Sequence, residues 1–454
     1  MQLIQKKDLR FDLDQSALDG AWDASALTRH PLEAGIVLST LRDAHWLTAA
    51  RATAYARIVF VISLLAATAW VLLSSDGIDL AGHPLGTDFT SFWAASHLAL
   101  RGRAADVYQP SIHRAAQDAI FGRHLDGYAA FFYPPPFLLV CLPFALLRYF
   151  WSLAVWQTVT GFAWLRVMQA LLQRRWLVPV LAFPAVFMNL GHGQNGFLTA
   201  ALFGAGSLIL SRRPGLAGVC FGCMIIKPQL MILLPVLLLL RRAWRTIATA
   251  AATAVGLVAV TLVAFGTAAW QGFLHVSPLA RETLERGLVD PGKMQSVFGA
   301  VRVLHGSVSL AYAVQGCVAL AVCTALALAQ RKRPDVLALA MGTACGTLLA
   351  TPFVLDYDLT LLALPLAWLF EQGCRDGFLP WEKLGLGAGF ILPLVSRTLA
   401  LYAEVPIAPL VLSILFLLLI RRTGQAPLVA EGVYYRAGDR PVRGDSKRSQ
   451  SQES

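Results

Sequence analysis

The chain has 454 residues, of which 56% are hydrophobic and 14% charged, with a mean hydropathy of +0.58. Soluble proteins carry about a quarter of their residues as charges, so this balance excludes a soluble domain and indicates a multi-pass membrane protein. The net charge of +11 does not mark a nucleic-acid partner, because Lys and Arg gather between apolar runs (Arg174-Arg175, Arg212-Arg213, Arg241-Arg242, Arg331-Lys332-Arg333, Arg421-Arg422), as orientation signals do.

Residues 1–55 are polar and mixed in charge, a cytoplasmic N-terminal segment with room for a small helix. The first apolar run, about 57–73, starts too late and runs too long for a secretory signal. It is expected to be an uncleaved first helix, with Arg51 and Arg57 holding its start in the cytoplasm. That orientation places 75–132, rich in aromatics, His and Asp, outside as a first outer loop. Within it, "GTDFTSFWAASHLALRGRAADVYQP" (86–110) brings Asp88 soon after the first helix. It continues as an aromatic-rich amphipathic helix expected to lie along the membrane surface. Thr87 or Asp88 would also serve as the N-cap of that helix.

The next run, "YPPPFLLVCLPFALL" (133–147), would make a helix of roughly 22 Å, short of the roughly 30 Å hydrocarbon core. Its opening prolines suit a bend, and counting it as a span would put the Arg pairs at 212, 241 and 421 outside; it reads as partly inserted or interfacial. Further apolar runs fall near 150–172, 176–190, 194–211, 214–226, 228–240, 246–266, 308–329, 335–352, 356–371, 384–400 and 404–420. With the first, about twelve spans form a transmembrane domain over 56–422, with a second outer loop at 267–307 and both termini cytoplasmic. The tail, 423–454, is rich in Ser, Arg and Gln and expected to be disordered.

Three polar turns then fall on the outer face with the first loop: "GHGQN" (191–195), "IKPQL" (226–230) and "TPFVLDYDLT" (351–360). A single tilted helix over 214–240 would strand Lys227 near mid-membrane and put Arg213 and Arg241 on opposite sides. Two short helices meeting at Lys227-Pro228 satisfy the positive-inside rule instead. An ionisable residue at that depth is a candidate functional group; the alternative is a lysine snorkelling from a helix end. The seven cysteines lie mostly inside apolar segments. "CFGC" (220–223) has no second pair nearby, so small packing residues are expected rather than a disulfide framework or metal site.

The order "GTDFTSFWAASHLALRG", "DVYQP", "FFYPPPFLLVCLPFALL", "GHGQNGFL", "GVCFGCMIIKPQLMILLPVLLLLRRAWR" and "TPFVLDYDLTLLALPL" resembles the polyprenol-phosphate-mannose-dependent mannosyltransferases. These are glycosyltransferase family 87, within the GT-C superfamily of integral-membrane glycosyltransferases. The resemblance spans about 85–365. It implies an all-α GT-C-type bundle in the cell (inner) membrane, moving a sugar, mannose or another hexose, from a polyprenyl-phosphate carrier to a lipid-linked or envelope glycan outside. It also implies Asp88 as general base, Lys227 in the family's KPQ turn, and Gln194 in its GQ turn. His192 departs from the smaller or apolar residue of the family.

The chemistry agrees with this set. A carboxylate taking the acceptor hydroxyl's proton strengthens the nucleophile, and the departing polyprenyl phosphate is a stable anion that needs no proton, so one base suffices for inversion. Lys227 would offset the phosphate charge, joined by Arg302 or Lys293 from the second outer loop. His192, Asn195, Tyr357 and Asp358 complete the substrate-binding candidates. "DYD" (356–358) matches a DxD metal motif only as letters; no Gly-rich nucleotide loop, metal or cofactor is expected. Two other classes stand beside the enzyme. A secondary transporter with broken helices and a midplane lysine would show an internal repeat, which the unequal outer loops do not have. A non-catalytic envelope-assembly protein would tolerate loss of Asp88.

Overall fold

The computed structural model describes residues 38–172, 177–332 and 334–423. The expectations for residues 1–37, the Arg174-Arg175 pair and the tail from 424 lie outside the described residues. Those described are helical and contain no strand, only isolated bridges. The first helix, α1 (Ala49–Leu72), is followed by two loop helices, α2 (Phe89–Leu100) and α3 (Pro110–Phe121). Next come the short α4 (Pro135–Cys141) and the long α5 (Tyr149–Leu171), then two broken hairpins. The first is α6 (Leu177–Leu181), α7 (Pro184–His192) and α8 (Gly196–Ile209); the second is α9 (Pro214–Cys223) and α10 (Leu234–Leu240). The remainder is α11 (Trp244–Glu285), α12 (Val297–Val303), α13 (Val308–Arg331), α14 (Val336–Ala350), α15 (Ala363–Asp376), α16 (Glu382–Ala403) and α17 (Ala408–Thr423).

Proline and glycine set these boundaries. Pro110, Pro135, Pro184 and Pro214 open helices at the position where the missing N–H has no partner to lose. Gly193 closes α7 in the left-handed region at φ 65°. Gly266, at φ 75° and ψ 172°, bends α11, so residues expected to begin an outer loop at 267 instead continue as helix to Glu285.

By length and composition α1, α11, α13 and α16 are able to cross a membrane. The other apolar runs are present as helices, but α8, α9, α10 and α14 are shorter. Prolines and 3-10 turns cut them, as at Pro228–Met231 and Asp356–Leu362. Among the described residues, length and composition together thus mark four candidate crossings, and the remaining apolar runs do not by themselves establish about twelve. The 133–147 run is two short pieces, α4 and a 3-10 turn at Leu142–Leu146, and α4 spans only about 10 Å. It packs against α2 and the later half of α11 through Phe137, Leu138, Ala269 and Val276.

The largest core gathers α5, α8, α14, α15 and α17 around Trp164, Phe203, Leu348 and Leu364. A second, aromatic core encloses the first loop. α2 does not lie along a surface: Phe89, Ser91, Phe92, Ala95 and Leu98 are buried, with Phe92 edge-on to Phe137 at 4.8 Å and to Tyr133 at 5.4 Å. Rings that read as interfacial anchors turn inward because α4 and Trp156 offer them an apolar wall.

Candidate active site

The turn between α7 and α8 is the first fixed part of the site. Asn189 Oδ1 accepts from the Gly196 N–H at 2.9 Å, and Trp156 Nε1 donates to the Gly193 carbonyl at 3.0 Å. Gln194 then reaches across. Its Nε2 donates to Asp88 Oδ2 at 3.2 Å, while its Oε1 accepts from Tyr133 Oη at 3.1 Å and from the Asn195 N–H at 2.8 Å.

Asp88 stands at the N-cap position of α2, yet its side chain makes no capping hydrogen bond. Thr87 does not cap the helix either: its Oγ1 lies 2.9 Å from His192 Nδ1. The Asp88 N–H donates to the His192 carbonyl at 2.9 Å, and His192 Nδ1 is 3.7 Å from Asp88 Oδ2. The carboxyl is 28% exposed. Burial pushes it above its ordinary pKa, against the opposing pulls of the His192 charge and the Gln194 hydrogen bond.

Lys227 occupies the turn between two 3-10 segments, Met224–Ile226 and Pro228–Met231. Two short helices do meet there, and the ammonium does not snorkel. Its side chain is 3% exposed and forms an ion pair with Asp358. Nζ also donates to Asn195 Oδ1 at 3.2 Å and lies 4.8 Å from the Tyr357 ring centre. Asp358 Oδ2 accepts from the Leu355 N–H at 3.1 Å. The neighbouring Asp356 faces another cation, accepting from Arg397 Nη1 at 2.9 Å. The two carboxylates of "DYD" are thus committed to separate partners.

Asp88, Gln194, Lys227, Tyr357 and Asp358 line one cavity of about 780 Å3. Phe273, Val276, Leu279 and Leu284 of α11, beyond the Gly266 bend, add apolar lining to the same cavity. His192 and Asn195 stand behind this lining and hold Asp88 and Lys227. Arg302 is not brought in, because its Nη1 donates to the Gly306 carbonyl at 2.6 Å. Lys293 is exposed and outside the lining.

Sequence reasoning passed over Tyr133, although it lies in a quoted motif; only the fold shows that it orients Gln194. It also passed over Arg397. The signal was there, a lone Arg inside the apolar run of α16, which physical cost alone marks for a partner.

A helical membrane protein with a cavity lined by both ionisable and apolar side chains is the class these features define. The model of glycosyltransferase family 87 matches residues 131–352, just under half of the chain. This bears out the resemblance carried by the motifs and indicates a glycosyltransferase. The matched stretch contains Tyr133, Gln194, Asn195 and Lys227, while Asp88 and Asp358 lie to either side of it. No curated protein and no solved structure matches the chain.

Proposed function

We propose that the protein transfers a hexose, mannose in the first instance, from a polyprenyl-phosphate carrier to a lipid-linked or envelope glycan. Transfer takes place at the extracytoplasmic face of the cell membrane. The bundle is of the GT-C type, with about twelve spans completed by the short helices and with both termini cytoplasmic. The observation that carries the reading is the shared cavity, lined by the Asp88 carboxylate and the Lys227–Asp358 ion pair together with apolar residues of α11.

In the transfer, Asp88 accepts the proton of an acceptor hydroxyl as that oxygen attacks the anomeric carbon. The bond from the anomeric carbon to the phosphate oxygen breaks on the opposite side, inverting the centre, and the polyprenyl phosphate leaves as an anion. Gln194 holds Oδ2 of Asp88, which leaves Oδ1 for the proton. Asp358 and Asn195 take two of the Lys227 N–H bonds, and the third serves the phosphate. Because Asp358 balances the lysine charge, a singly charged phosphodiester enters a site that is not left strongly cationic in its absence. Phe273, Val276 and Leu279 offer the prenyl chain an apolar surface.

Purified protein, assayed against a panel of polyprenyl-phosphate and nucleotide-linked sugars, tests this reading. Turnover of a polyprenyl-phosphate hexose is expected; transfer from nucleotide sugars alone would overturn the donor assignment.

A further inference from the structure

The cavity has a second polar feature that the transfer step does not use. Ser91 follows Asp88 by one turn of α2, so the two side chains share a face with Cβ atoms about 5–6 Å apart, and both line the cavity. Hydroxyls in helices usually bond back to a carbonyl of the preceding turn. Ser96 does so to the Phe92 carbonyl at 2.7 Å, and Thr90 to the Thr87 carbonyl at 2.7 Å. Ser91 Oγ does not: the residue is 2% exposed and the hydroxyl has no partner. Buried hydroxyls without partners are rare and call for an explanation.

Tyr128 lines the cavity as well, and His113 ties it to Ser91. His113 Nε2 lies 3.1 Å from the Ser91 carbonyl, which can only accept, so Nε2 carries the proton. Burial lowers the His113 pKa to about 4, so the ring is neutral at pH 7 and Nδ1 is an acceptor. Tyr128 Oη lies 3.1 Å from Nδ1, whose single lone pair it shares with a second donor. Gln117 Nε2 donates to the same Nδ1 at 3.2 Å and to the Ala129 carbonyl at 2.7 Å.

We propose that Ser91 and Tyr128 form the acceptor subsite, holding a hydroxyl adjacent to the one that Asp88 deprotonates. The subsite rests on the glycosyl-transfer reading above and deepens it. Ser91 Oγ and Tyr128 Oη can each donate or accept, so together they fit a hydroxyl that both gives and receives a hydrogen bond. An acceptor with two neighbouring hydroxyls, a glycan or polyol, satisfies Asp88 and this pair together; a lone primary alcohol does not.

The test uses the full chain in lipid nanodiscs, with octyl α-mannopyranoside and its monodeoxy analogues as probes and polyprenyl-phosphate mannose as donor. Equilibrium binding of the glycoside is measured separately from transfer. Ser91→Ala and Tyr128→Phe, both mild for folding, are each expected to weaken glycoside binding about three- to tenfold. They should raise acceptor KM to match while leaving donor KM within about twofold. One monodeoxy glycoside that wild type binds poorly should be bound equally well by wild type and variants. Glycoside binding without mannosyl transfer would sink the donor reading yet leave the subsite standing. No glycoside binding by wild type, or equal affinity in the variants, overturns the subsite.

Discussion

Lys227 and Asp358, 131 positions apart in the chain, form an ion pair in which each side chain is 3% exposed. Removing one partner of such a pair strands the other charge at a cost of about 3–5 kcal/mol. Lys227→Met alone is therefore expected to destabilise the protein by that order, confounding any loss of donor binding. The double variant Lys227→Met/Asp358→Asn should recover most of the stability. If Lys227 holds the donor phosphate, the double variant still binds polyprenyl-phosphate mannose about ten- to a hundredfold more weakly than wild type. Thermal unfolding and donor binding, measured on both variants, separate the two effects; wild-type affinity in the double variant would remove Lys227 from the donor site.

Asp88→Asn keeps size and the hydrogen bond from Gln194 but cannot take a proton, so turnover should fall by about two to four orders of magnitude. Wild-type kcat/KM should decline as pH falls, because the base must be ionised, and the fall should begin above the ordinary carboxylate range near pH 4, since burial raises this pKa. A group whose pKa is raised on folding contributes stability at low pH that is lost as pH rises through the folded pKa. At neutral pH the ionised Asp88 is thus a cost, and the Asn variant should melt no lower than wild type. A stable but fully active Asn variant would end the catalytic assignment.

Gly196 opens α8 against the 351–360 turn. A Cβ there would lie 2.6 Å from Asn189 Oδ1 and 2.7 Å from the Tyr357 carbonyl, a clash with backbone that no rotamer relieves. Gly196→Ala should cost about 1–3 kcal/mol and reduce transfer by displacing Tyr357 and Asp358 from Lys227. Gly191→Ala, which meets nothing within 4 Å, is the control and should be nearly silent in unfolding assays.

Orientation is open to direct labelling. In a background without the seven native cysteines, cysteines placed at 88, 192 and 290 should react with an impermeant maleimide added outside, and one at 213 should not. Labelling at 213 with protection at 290 would reverse the membrane orientation and move the proposed chemistry to the cytoplasmic face.

Much of this protein was determined by its sequence. Apolar runs and the Arg pairs between them identified a membrane chain, because exposing so much apolar surface to water is untenable. Lys227 stood out because a lone ammonium among apolar residues needs a partner, and Pro228 beside it located the break in the 214–240 run. What that partner is, the tertiary structure alone decided: nothing local links position 227 to 358, or 356 to 397, since such pairs depend on which turns packing brings together. Tertiary structure also decided the fate of the loop aromatics. An amphipathic pattern is the same whether its apolar face meets lipid or protein, and only the wall built by α4 and Trp156 turned α2 inward. It decided Asp88 too: a carboxylate at a helix start reads as a cap until the structure shows the side chain turned to Gln194 instead.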